Sequence, residues 1–320
     1  MYINKRWNRI ALITGILLVL GYASSIGVQF SSLMWVATAK GNWKVQSSEH
    51  MNGTGVVLLI ITAILSTLPA LLFIPSYIRS RKGKWLDLAE GVSLRDAVYY
   101  FAFYQIGYAL IQLVYIVMET FHLDHALSDQ SIGGLLSSFL PQFMMAAAGL
   151  LIFRGRLGDI GFVRPVKIGQ LLGAVVVCYL FTAFVLDFIV TVPLSHLFHL
   201  ELDSWREQQI SGQVAQAKNM NLITGIVEVL LVGLFVPIAE EIMFRGALQT
   251  ALVQQFGPFF GILGSSLIFG IIHVDPVLFM PLFSMALILG WLRHHYKSLW
   301  ASILFHALNN TITVCLYFFR

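Results

Sequence analysis

Residues 237–246 read Pro-Ile-Ala-Glu-Glu-Ile-Met-Phe-Arg-Gly, with two carboxylates and a guanidinium set in a stretch that is otherwise largely apolar from Ile223 to Phe256. A charge at the centre of a bilayer-spanning helix costs roughly 2.5–3.5 kcal/mol on insertion scales, so such a group of charges demands pairing, a water-filled pocket and a function. On a helix, Glu241 and Arg245 stand four apart with the acid N-terminal, the favourable order for an ion pair. Glu240 points about 100° away, onto the face of Val236, Pro237 and Phe244, and has no local cation. Pro237 removes a backbone donor, which predicts a kink or widened turn beside Glu240 and an entry for water.

Outward from this stretch the chain remains apolar. Of its 320 residues 58% are hydrophobic and 11% charged, and the mean hydropathy is +0.78. Recurrent apolar runs near bilayer length predict an all-α, polytopic membrane bundle of about eight or nine helices rather than a soluble globule. The candidate spans are roughly 10–31, 54–78, 97–120, 132–153, 168–193, 222–253, 258–273, 276–293 and 298–318. The first is too long for a cleaved signal and reads as an anchor. Cys178 and Cys315 lie in apolar runs and read as packing residues.

The basic residues sort by loop. Lys5, Arg6 and Arg9, then Arg79 to Arg95, Arg154 to Lys167, and Arg293 with Lys297 make 14 of the 20 Lys and Arg on one side, which predicts a cytoplasmic N-terminus. The same sorting accounts for the net charge of +4 without nucleic acid, which is excluded as a partner. The loop at 121–131, with His122, Asp124, His125 and Asp129, reads as external. The stretch 196–221 reads as an external loop with an interfacial helix, with His196 and His199 at the membrane surface. Gly257, Gly261, Gly264, Ser265 and Ser266 predict close helix packing. The sequence divides into an N-terminal group of helices without an assignable motif, 1–160, and a C-terminal core, 161–320.

Two further polar patterns lie in the C-terminal apolar helices: Phe269 with His273, and His306 with Asn310 one turn apart on a shared face. Singly, an intramembrane histidine or asparagine is commonly a structural hydrogen-bonding group. Together with an unpaired Glu240 they outline a site, because the five N-terminal spans hold little comparable apart from Asp187. The ordered set EExxxR (Glu240, Glu241, Arg245), FxxxH (Phe269, His273) and HxxxN (His306, Asn310) resembles the CPBP family. That family includes the type II CAAX prenyl endopeptidases and bacterial Abi or bacteriocin self-immunity proteins. The resemblance covers about 200–320.

What the resemblance implies is an intramembrane endopeptidase in a bacterial plasma membrane, acting on a membrane-associated peptide or protein. Glu240 would activate water with the help of His273, His306 and Asn310 would hold the oxyanion, and Glu241, Arg245 and Phe269 would support them. The family is also described as metal-dependent. Glu240, His273 and His306 could hold Zn²⁺ beside an open water position, although the compact H-E-x-x-H helix is absent, and a metal-free glutamate mechanism is the preferred expectation. A proton-coupled transporter and an inactive interaction protein are the readings from other classes. Depth along the helices poses a difficulty: Glu240 and His273 both fall late on oppositely directed spans, and gripping only the second half of 222–253 would bring Glu240 toward the membrane middle.

Overall fold

The computed structural model describes residues 2–48, 50–81, 91–122 and 131–319. Helices α1 (Tyr2–Ser31), α2 (Gly53–Arg81) and α3 (Leu94–Thr120) are followed by the short α4 (Ile132–Ser138) and α5 (Leu140–Ile152). Helix α6 (Ile168–Phe181) continues through a wide-turn, π-helical stretch at Thr182–Thr191 into α7 (Val192–Phe198), and α8 (Trp205–Met220) leads into α9 (Leu222–Leu230). The central helix then alternates: π-helical Leu231–Phe235, α10 (Val236–Glu241), π-helical Ile242–Gln249, α11 (Thr250–Ile271). The last two helices are α12 (Phe279–Tyr296) and α13 (Leu299–Phe319). A hairpin absent from the sequence reading, β1 (Leu33–Ala37) with β2 (Trp43–Ser47), joins α1 to α2.

The bundle is inverted relative to a protein folded in water. Leu71, Phe184 and Phe188 are 71%, 72% and 83% exposed, while Arg245, Glu241 and His306 are buried. Apolar side chains pointing outward along helices that satisfy their own backbone groups are what a lipid solvent permits. Six described helical stretches are long and apolar enough to cross a membrane, the longest running from Leu222 to Ile271. That stretch is the two expected spans 222–253 and 258–273 joined end to end. Gly257 takes φ +80°, and the backbone of Val253 lies against Gly261, so the chain doubles back there. The left-handed conformation is what glycine supplies without a Cβ penalty.

This reversal removes the depth difficulty. Glu240 lies 17 residues before Gly257 and His273 lies 16 after it, so the two arms return both residues to one level. The two ends of the bundle are sorted as the basic loops suggested. At one end Arg156 pairs with Asp96 at 3.4 Å and Ser298 donates to the Val163 carbonyl. At the other, the hairpin docks on residues 199–203: Trp43 N donates to the His199 carbonyl at 2.6 Å, and Lys44 pairs with Asp203. The Lys44 hydrogen bond holds the Asp203 carboxyl below the usual carboxylate range. Lys82 and Lys84, and Asp124, His125 and Asp129 of the 121–131 loop, lie outside the described residues.

Helix α3 has two working faces. Tyr99 and Ala102 pack with Ala11, Leu18 and Phe73 of α1 and α2, whereas Tyr100, Phe101 and Tyr104 join the main core with Ile242, Phe244, Phe269 and Phe305. That core draws on both sides of residue 160.

Candidate active site

The acidic pair sits where the central helix changes pitch. Pro237 stands in the first turn of α10, with a π-helical stretch ending just before it and another beginning after Glu241. A proline cannot donate to the preceding turn, and the widened turns absorb the mismatch, a device common at functional sites. Gly233, in the first of these stretches, lies against α13. The Thr311 hydroxyl donates to its carbonyl at 3.1 Å, and a Cβ there would come within 3.0 Å of Thr311 Cα. The close approach brings α13, with His306 and Asn310, up to the glutamates.

Glu241 is the structural hub. Its Oε1 accepts from Arg245 Nη1 at 3.0 Å, the expected ion pair, and meets His306 Nδ1 at 3.0 Å. Arg245 also donates to the Ala286 carbonyl at 3.3 Å and lies 4.3 Å over the Phe269 ring, tying α12 and α11 to the same centre. Both charges are buried, so each is costly without the other. A carboxylate only accepts, which assigns a proton to His306 Nδ1 and leaves Nε2 facing Glu240 Oε2 at 3.8 Å. That gap is too long for a hydrogen bond.

His273 lies just past the end of α11. Its Nδ1 lies 2.7 Å from the Phe269 carbonyl and donates to it, so in the neutral ring Nε2 is an acceptor. The segment that follows is held under constraint. Val274 has φ +53°, a conformation costly for a β-branched residue, and is buried. Asp275 accepts from the Val277 and Leu278 amides at 2.8 and 3.2 Å and from the Ser204 hydroxyl at 2.7 Å. Arg206 Nε donates to the His273 carbonyl. The N-terminus of α8 therefore sets the position of His273.

Glu240, Phe269, His273, His306 and Asn310 line one cavity of about 520 Å³, and Glu241 and Arg245 stand behind its wall. The structure thus brings together the side chains given direct roles and keeps the supporting pair out of the cavity. Arg206, Glu207, Asp187, Gln142 and Asn309 share the lining and were missed as site residues by the sequence reading. Burial lowers Arg206 from the usual guanidinium range, with Asp275 and Glu240 opposing, and burial raises Glu207. The sequence offers one usable signal for them: Trp205 and Arg206 open the interfacial helix expected within 196–221, which Ser204 caps. The sequence reading also passed over Glu228, a further carboxylate in the central helix, which is buried.

Among the described residues no three His, Cys, Asp or Glu side chains are gathered as a metal ion requires. Glu240, His273 and His306 share a cavity, and with both Nδ1 atoms bonded to protein oxygens the Nε2 atoms are the ring positions left open.

Residues 222–312 match the family model of the Rce1-like proteins, the type II CAAX prenyl endopeptidases. The matched segment holds all seven motif residues. A candidate membrane peptidase of Bacillus subtilis (strain 168), YdiL, is 30% identical over 119 residues, which is 37% of this chain and 46% of that relative. The match thus spans less than half the length of that relative. No solved structure matches.

Proposed function

We propose that this chain is an intramembrane endopeptidase that hydrolyses a peptide bond of a membrane-associated protein or peptide. The observation that carries the reading is the meeting of Glu240, His273, His306 and Asn310 on the wall of one cavity inside an apolar bundle. The Rce1-like match over 222–312 supports it. Glu240 takes a proton as the water oxygen attacks the carbonyl carbon, and His273 Nε2 accepts the second hydrogen bond of that water. His306 and Asn310 donate to the oxyanion. The proton then passes to the departing amine as the C–N bond breaks, giving one acid and one amine. Donation by His306 to the oxyanion requires protons on both ring nitrogens; Glu241 already offsets Arg245, so the Glu240 carboxylate offsets the imidazolium charge.

The Glu241–His306 hydrogen bond favours a second assignment within the same reaction. A neutral His306, oriented by Glu241 as a histidine is by its acid in a triad, would itself be the base, and Glu240 would hold the water. Glu240→Gln separates the two. With Glu240 as base, cleavage of peptides by the detergent-purified variant falls by at least about 10²-fold in kcat/KM with an unchanged thermal midpoint. Retained activity overturns the Glu240 role and leaves His306. No step is routed through a metal, so chelator-treated protein is expected to keep its rate. Solute or ion flux in vesicles without peptide cleavage would replace the peptidase reading with the transporter.

A further inference from the structure

Resting on the peptidase reading, a second feature of the central helix bears on substrate choice. Glu228 of α9 is 3% exposed, and no described residue donates a hydrogen bond to it or pairs with it. A buried carboxylate without a partner is costly, and an apolar residue of similar size would stabilise the fold better. Its place explains it. Glu228 lines a cavity of about 260 Å³ together with Gln209, Gln213 and Gln216 of α8 and Ser138 of α4. These glutamines are spaced four and three apart and lie on one helical face. Ser138, Gln209 and Gln213 also line the active-site cavity, so the two cavities adjoin along α8 and outline a trough between Glu240 and Glu228.

Such a trough has the chemistry of a peptide cleft: glutamine amides that both donate and accept can meet an extended backbone, and among the described residues the single charge lining its far cavity is negative. We propose that the trough along α8 binds the substrate chain and that Glu228 takes a lysine or arginine side chain about five residues from the scissile bond. The spacing follows from the helix. Twelve residues separate Glu228 from Glu240; at ~1.5 Å each this is roughly 18 Å, and an extended peptide covers ~3.4 Å per residue. The charge-assisted pair would form in a low-dielectric site, where it is worth more than at a surface.

The test uses fourteen-residue fluorescent peptides of Ala, Leu and Gln carrying one Lys at successive positions, with the full chain in detergent. The expected result is kcat/KM at least about tenfold higher when Lys lies near the fifth residue on one side of the cleaved bond, reverting to the all-neutral rate in Glu228→Gln. Glu228→Gln should leave cleavage of the neutral peptide intact and hold or raise the thermal midpoint, which a purely structural role would lower. Binding of the same peptides to the Glu240→Gln chain, read by anisotropy, separates this inference from the peptidase reading. A Lys preference in binding that Glu228→Gln removes sustains the site even if no peptide is cleaved. Lys position without effect on cleavage or binding, or a preference that survives Glu228→Gln, overturns it.

Discussion

Arg245 and His306 converge on a single oxygen, Oε1 of Glu241, each at 3.0 Å, and all three side chains are buried. Replacing that oxygen pair with an amide keeps the shape but leaves Arg245 uncompensated in low dielectric and turns donors toward donors. Glu241→Gln is therefore expected to cost about 3–5 kcal/mol, measured as a lowered thermal midpoint in detergent, and to lose activity as a consequence. Glu240→Gln, on the cavity wall, should lose activity alone, so the pair of variants distinguishes a positioning residue from a catalytic one. Half of this was legible in the sequence. The Glu241–Arg245 pair follows from i, i+4 spacing, which is local geometry. The contact with His306, 65 residues away, depends on how α13 is docked, and spacing can specify only which helical face His306 and Asn310 share.

At the scale of elements, α8 is the interfacial helix the sequence predicts, and the site depends on it more than that reading indicates. Its cap, Ser204, accepts from Glu207 N at 3.1 Å and donates to Asp275 at 2.7 Å, so one hydroxyl starts the helix and anchors the segment that carries His273. Ser204→Ala removes both contacts. It should cost about 1–2 kcal/mol through the lost cap and the bond stranded on a buried carboxylate. It should also lower kcat by releasing His273, and Ser204→Thr should restore both because its hydroxyl caps and donates in the same way. Loss of stability with kcat unchanged would mean that α8 supports the fold without positioning His273. The sequence signal for α8 was weak because its apolar residues form no stripe, and a helix roofing a polar cavity needs none. The widened turn beside Pro237, by contrast, was legible, since a missing backbone donor has local consequences.

For the whole molecule, the spans and their order were readable because a bilayer imposes length and hydropathy on every helix. The hairpin was not readable: it is short, and its place depends on pairing with residues 199–203 far along the chain. The reversal at Gly257 was visible as the break between two oppositely directed spans, but depth counted from the span ends, instead of from the turn, set Glu240 and His273 apart. Orientation is the remaining large-scale question, and it decides from which side substrate enters the trough. The docked hairpin and α8 share one end, where Lys218 also donates to the Phe318 carbonyl. Arg156, Ser298 and their partners Asp96 and Val163 share the other. The excess of basic residues belongs to the second end, which the charge bias of insertion assigns to the cytoplasm. A reporter inserted at Gly41, in the hairpin turn, is therefore expected to be external, and one inserted at Gly155 cytoplasmic. Cysteine labelling at the same two positions by a membrane-impermeant reagent should modify Gly41→Cys in intact cells and Gly155→Cys only after permeabilisation. The reverse pattern would put the mouth of the cavity, roofed by α8, on the cytoplasmic face, and the substrates would then be proteins that reach the membrane from within.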